Sequence, residues 1–186
     1  AVTESAPLVS VTASDLELLR VTAASAGLSL ETVQNDQGQF VRLSWPDAAP
    51  FGEVGTPALP VVRHLFIAPY GAEISWQVNA GQAYTLDSAA AGRSLLVYPV
   101  QPPIPKVPGA ADRAVFQIDP QAYALDADLP AERVHVEELG IVRGQRLCLL
   151  EIRPVAYNAA RQTVTFYPEI SAEIRFAGSR QPDDVI

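Results

Sequence analysis

Thr163-Val164-Thr165-Phe166-Tyr167 and Ala172-Glu173-Ile174-Arg175-Phe176 alternate apolar with polar side chains at a period of two. That period sends successive side chains to opposite faces of an extended chain, so each run reads as a β-strand with one face for a core. Asn158-Ala159-Ala160-Arg161 turns the chain just before them. Further upstream, Leu147-Cys148-Leu149-Leu150-Glu151-Ile152 is apolar on both faces, the pattern of a central strand. Similar runs recur towards the N-terminus: Leu16 to Val21, Leu28 to Val33, Gln39 to Trp45, Val61 to Ala68, Glu73 to Val78 and Leu95 to Tyr98. Asn35-Asp36-Gln37-Gly38 is a hairpin signal, and Pro69-Tyr70-Gly71-Ala72 is a second turn. Ala114 to Ile118 reads as a short strand followed by an Asp119-Pro120 turn, and Ala122 to Ala131 as an irregular acidic link. Val134 to Val136 and Ile141 to Val142 flank Gly140.

About ten to thirteen short strands with regular turn signals, and no convincing amphipathic helix, define an all-β protein. A two-sheet β-sandwich, jelly-roll-like and without significant helix, is the natural way for that many strands to bury their inner faces. Residues 1–14 are expected to be a lead-in, 15–178 the sandwich and 179–186 a flexible tail.

Composition narrows the function. Of the 186 residues 48% are hydrophobic and only 18% charged, which is enough apolar material for one folded domain and too much for disorder. The net charge of −8 provides no basic stripe to neutralise phosphates, so neither nucleic acid nor an anionic membrane surface is an expected partner. No apolar run reaches the roughly 18–20 residues that span a bilayer. The chain has no methionine and no signal-peptide pattern, and it reads as a processed or excised piece of something longer.

Catalytic and metal-binding chemistry find little support. The single cysteine, Cys148, lies in the most apolar segment and reads as a buried core residue. His64 and His135 sit far apart in strand-like runs, without metal-ligand spacing. Glu137-Glu138 and Asp183-Asp184 are adjacent pairs whose side chains point opposite ways on a strand, so they read as solvated surface. Asn35-Asp36 and Asp126-Ala127-Asp128 could offer oxygen ligands to calcium but lack the twelve-residue loop pattern. No cofactor and no metal are expected.

One segment stands apart. Pro99-Val100-Gln101-Pro102-Pro103-Ile104-Pro105-Lys106-Val107-Pro108 has five prolines in ten residues and carries the only lysine of the chain. Proline lacks the N–H a sheet ladder needs and fixes φ, so this stretch is a stiff, extended, exposed loop that loses little entropy when gripped. The other twelve basic residues are all arginine, and a coding bias against lysine would explain the singleton as readily as selection would.

Three motifs, in order and spacing, resemble the propeptides of gingipain-type cysteine peptidases (clan CD, family C25). They are Gly55-Thr56-Pro57-Ala58-Leu59-Pro60 with the following strand and Pro69-Tyr70-Gly71-Ala72, then Leu139-Gly140-Ile141-Val142-Arg143-Gly144-Gln145-Arg146, then Pro154-Val155-Ala156-Tyr157-Asn158 leading to Thr163–Tyr167. Ala159 stands where the family usually has proline. The resemblance covers roughly residues 15 to 178 and implies a non-catalytic prodomain of a secreted or cell-surface (or periplasmic) peptidase. Such a prodomain acts as intramolecular inhibitor and folding aid for a caspase-like catalytic domain downstream. By the same resemblance, a basic residue on an exposed loop enters the specificity pocket. Matched by order, the inhibitory loop is Ile104-Pro105-Lys106-Val107-Pro108, with Lys106 for the pocket, Arg113 as rival basic residue and Arg180 as a possible processing site. A lysine-directed peptidase would find no second lysine to cut in this chain. The competing reading is an adhesion or carbohydrate- or protein-binding sandwich, whose exposed aromatics would be Trp45, Trp76, Tyr70 and Tyr84.

Overall fold

The computed structural model of the chain describes residues 9–108 and 114–178. Its strands are short and antiparallel, as the period-two runs dictate. β1 (Val9–Ser14), β2 (Leu18–Ala24), β3 (Ser29–Asn35) and β4 (Gly38–Ser44) come first. β5 (Ala49–Phe51), β6 (Leu59–Ala68), β7 (Glu73–Ala80) and β8 (Tyr84–Leu86) follow. Two short helices, α1 (Ser88–Ala91) and α2 (Pro120–Ala124), bracket the proline-rich segment. The C-terminal part supplies β9 (Asp128–Leu129), β10 (Val134–Val142), β11 (Gln145–Ile152), β12 (Val155–Asn158), β13 (Thr163–Phe166) and β14 (Glu169–Ala177).

Two four-stranded sheets, ordered β1-β2-β14-β7 and β10-β11-β6-β5, face each other as the expected sandwich. Leu19, Val21, Ile170 and Ile174 from the first meet Val62, Phe66, Leu150 and Ile152 from the second in one core. Each large aliphatic side chain buried there contributes about 1.5–3 kcal/mol relative to an exposed one. The alternation read in Ala172–Phe176 is realised: Ala172, Ile174 and Phe176 point inwards and Arg175 outwards. A third sheet, β8-β13-β12-β9, and the β3–β4 hairpin extend the sandwich and enclose a second core. Val41, Leu43, Leu95, Val97, Val155, Tyr157 and Val164 fill it. Phe166 touches both cores and packs on buried Trp45 with ring centroids 5.2 Å apart.

Several local expectations are corrected. Val9–Ser14, placed in the lead-in, is an edge strand paired with β2. Ala114 to Ile118 is not a strand, because Gln117 bonds to a side chain rather than to a ladder. Asp119-Pro120 is not a free turn but a helix start: Asp119 is the N-cap of α2, accepting from the Gln121 N–H, with Pro120 in the first turn where its missing N–H costs nothing. β10 continues through Gly140, where the register slips by a bulge between Glu138 and Gly140.

Candidate functional site

The proline-rich loop rises from a stem in which each arm has its own attachments. The ascending arm lies between β4 and the Gly55–Ala58 segment. On one side the Val41 N–H donates to the Leu96 carbonyl (2.7 Å) and the Tyr98 N–H to the Val41 carbonyl (2.8 Å). On the other, Ala58 N–H donates to the Tyr98 carbonyl (3.0 Å), Val100 N–H to the Thr56 carbonyl (2.8 Å) and Gly55 N–H to the Val100 carbonyl (2.8 Å). The descending arm is held at Asp119, whose N–H donates to the Gly55 carbonyl (2.9 Å). Gly55 thus bonds one arm through its N–H and the other through its carbonyl. Its φ is +89°, and a Cβ there would stand 3.1 Å from the Asp119 nitrogen, so the position demands glycine.

Gln101 completes the stem. Its Nε2 donates to the Gln117 carbonyl (2.8 Å) while its Oε1 accepts from the Gln117 N–H (3.0 Å). A side-chain amide therefore does for one residue pair what a strand would do. Next to it, Phe40 of β4, Tyr98 of the ascending arm and Phe116 of the descending arm pack with centroids 5.3–5.7 Å apart. Such pairs add about 0.5–1.5 kcal/mol each beyond area burial. The Arg42 guanidinium lies 5.2 Å over the Tyr98 ring.

Two phenols fix the base of the ascending arm. The Tyr157 hydroxyl donates to the Leu95 carbonyl (2.8 Å) and accepts from the Val97 N–H (3.4 Å). Tyr123 of α2 donates to the Val97 carbonyl. Burial pushes the Tyr157 hydroxyl up to about 12, and burial together with the nearby Tyr157 pushes Tyr123 still higher. Both hydroxyls therefore remain protonated donors across the biological pH range.

Above this stem the chain runs out into solvent. Residues Pro103 to Pro108 are exposed, Ile104 and Val107 by half or more. The Val107 N–H donates to the Pro105 carbonyl (2.8 Å), which closes a three-residue γ-turn with Lys106 at its apex. Among the described residues no hydrogen bond or ion pair engages the Lys106 side chain. Arg113 and Arg180 lie outside the described residues, as do Asp183 and Asp184.

The other candidates scatter. Cys148 is buried, and burial raises its thiol, so little thiolate is available for nucleophilic work. His64 and His135 lie on β6 and β10, two strands apart and, by register, on opposite faces of their sheet. Glu137 and Glu138 follow each other on β10 and also face opposite ways, Glu138 pairing with Arg146 at 2.7 Å. Asp126 is engaged by Arg161 (2.7 Å) and Asn158 (2.9 Å), and these hydrogen bonds hold its carboxyl below the usual range. Asn35 accepts from the Gln37 N–H inside the hairpin turn. Among the described residues no group of three or more His, Cys, Asp and Glu side chains is placed to hold a metal. Trp45 is buried, whereas Tyr70, Trp76 and Tyr84 are exposed on a turn, on β7 and on β8, elements that share no single sheet.

No local pattern points to Gln101, Gln117 or Tyr123. A glutamine pair sixteen residues apart follows no period, and only Asp119-Pro120 carried a readable helix-start signal.

The model of the family Propeptide_C25 matches residues 3–184, nearly the whole chain. This chain belongs to the Propeptide_C25 family. Lys-gingipain HG66 and Lys-gingipain W83, both from Porphyromonas gingivalis, are each 32% identical to it over 154 residues. The aligned part is 82% of this chain and only 9% of those proteins, so the chain spans less than a tenth of the relatives it matches. A structure concerned with the zymogenic latency of gingipain K from Porphyromonas gingivalis superposes with a TM-score of 0.76 at 28% identity. That match covers 90% of this chain and 91% of the other. The complex of Porphyromonas gingivalis RgpB pro- and mature domains shares the fold, with a TM-score of 0.79 at 19% identity, covering 93% and 87%. As a member of that family, the chain is a propeptide domain and not a catalytic one.

Proposed function

We propose that this domain keeps a gingipain-like cysteine endopeptidase latent, by placing Lys106 in the specificity pocket of its caspase-like catalytic domain, and helps that domain to fold. The observation that carries the reading is a lysine at the apex of a turn on a stiff projecting loop whose two arms are separately fastened below it. A pocket selective for basic side chains must present a carboxylate or equivalent acceptors. Each charge-assisted hydrogen bond to the ammonium is worth about 1.5–3 kcal/mol when well satisfied. Pro105 and Pro108 limit the entropy lost when Ile104-Pro105-Lys106-Val107-Pro108 is gripped.

In this reading residues 15–178, together with the edge strand Val9–Ser14, are the inhibitory sandwich, and 179–186 lead towards the catalytic domain with Arg180 as a processing site. The zymogen is exported, to the medium, the cell surface or the periplasm. The adhesion reading is disfavoured because Tyr70, Trp76 and Tyr84 do not form one aromatic platform.

The test is inhibition of a lysine-directed gingipain-type peptidase by the isolated domain, across an interface expected to bury roughly 1,200–2,000 Å². Lys106→Ala should raise the inhibition constant by about 100-fold or more, the equivalent of losing ~3 kcal/mol. Arg113→Ala should change it little. Equal, small effects of the two substitutions would remove Lys106 from the pocket.

A further inference from the structure

The way the strands are shared between the two sides of the loop has a consequence for what happens if the loop is cut. Lys106 divides the chain into a part carrying β1–β8 and a part carrying β9–β14. All three four-stranded sheets contain strands from both parts. In the first, β14 lies between β2 and β7; in the second, β11 pairs with β6; in the third, β13 pairs with β8. Neither part owns a complete core, because Leu150, Ile152, Ile170 and Ile174 of one pack against Leu19, Val21, Val62 and Phe66 of the other. The stem repeats the arrangement: the descending arm is tied to groups before Lys106, through Asp119 to Gly55, Gln117 to Gln101, and Phe116 to Phe40 and Tyr98.

We infer that the domain is a nick-tolerant inhibitor, in which Gly55 and Gln101 position both arms so that hydrolysis after Lys106 leaves the tip in place. In that hydrolysis a peptidase adds water across the Lys106–Val107 amide. The hydroxyl goes to the Lys106 carbonyl carbon, giving a carboxylic acid, and the hydrogen goes to the Val107 nitrogen, giving an amine, which at neutral pH takes the acid's proton to leave a carboxylate and an ammonium. Nothing else is consumed. Separation of the two fragments would require pulling β14 out of a sheet and opening both cores, so the cut ends stay at high effective concentration beside each other. Lys106 remains on an arm fastened at Val100 and Gln101, a short chain away. Cutting the loop is therefore not an activating event, and release of the peptidase needs damage elsewhere in the sandwich. This deepens the proposed function and rests on its placement of Lys106 in the pocket.

Because Lys106 is the only lysine, an unrelated lysine-directed endopeptidase can nick the folded domain at one bond, giving fragments 1–106 and 107–186. Denaturing mass spectrometry establishes the cut, gel filtration under native conditions reads association, and titration against the gingipain-type peptidase reads inhibition. The fragments should elute together at the volume of the intact domain, and the inhibition constant should rise by no more than about tenfold. Fragments that elute apart overturn the inference, as does a nicked pair that stays together but inhibits more than about a hundredfold less well. An intact domain that fails to inhibit counts against the proposed function instead, while co-elution still decides nick tolerance. Gln101→Ala gives the readout a merely structural residue would not: it should weaken the intact inhibitor a few-fold and the nicked one by more than about tenfold further. Equal losses in both forms would deny Gln101 its positioning role.

Discussion

The stem of the proline-rich loop and its tip are built on opposite terms. In the stem, main-chain groups from Leu96 to Val100 are bonded on two sides, three aromatic rings interlock, and two protonated phenols hold the carbonyls of Leu95 and Val97. At the tip, the γ-turn bond from Val107 to Pro105 is the main-chain bond that shapes residues 104–107, and the side chains face solvent. The contrast teaches that the residues that fasten the loop are not the residues it exposes at its end. A shaft is made rigid by packing and pairing, whereas the point it carries owes its stiffness to prolines and one γ-turn bond and is exposed to solvent.

Substitutions in the stem and at the tip should therefore separate stability from inhibition. The largest loss of stability is expected from Gly55→Val. A β-branched residue at φ +89° is strained, and its Cβ would press on the Asp119 backbone, for a cost of about 3 kcal/mol or more. In a chain of this size that lowers the melting temperature by roughly 6–12 °C in a calorimetric scan. Inhibition should fall with it, since both arms lose an anchor.

Tyr157→Phe comes next. It leaves the Leu95 carbonyl and the Val97 N–H unpaired in a buried place, for about 1–3 kcal/mol by denaturant unfolding. A loss no larger than that of an exposed Tyr84→Phe control would break the picture of a phenol-locked stem.

The acid limb of stability should belong to the sandwich body and not to the loop. Burial pushes the Glu151 carboxyl up, but hydrogen bonds from Arg153 (2.9 Å) and Arg63 (3.0 Å) outweigh it and hold the group below the usual range. A carboxyl held low in the native state contributes stability at neutral pH. That contribution is lost as pH falls below the ordinary glutamate value of about 4.3 and through the lower native one. Glu151→Gln should flatten the melting temperature's dependence on pH in that window, and an unchanged acid limb would assign it to other carboxylates. The smallest change is expected for Lys106→Ala, within about 0.5 kcal/mol of the parent in stability, for a side chain with no described partner.

Much of the body was legible because burial and period coincide there. Thr163–Phe166, Ala172–Phe176 and Leu147–Ile152 became β13, the end of β14 and β11, and the Asn35–Gly38 signal became the β3–β4 turn. The stem was illegible for a physical reason. Ala114 to Ile118 has strand composition, yet Val115 is left 75% exposed and Phe116 is spent on an aromatic contact, because the arm docks through side chains rather than through a ladder. A role for Gly55 could be suspected from its motif. That it bonds both arms of a loop whose nearer arm begins more than forty residues on depends on tertiary contacts that no local pattern encodes.

β14 is nearly the last segment of the described chain, and it is an interior strand of its sheet, with β2 on one side and β7 on the other. A chain that emerges N-terminus first therefore carries β2 and β7 without the strand that joins them until residues 169–177 appear. Pairing across so much sequence is slow, because the closure entropy is met before the contacts repay it. Until then the first sheet stays open between β2 and β7, and the domain closes only when β14 has joined it.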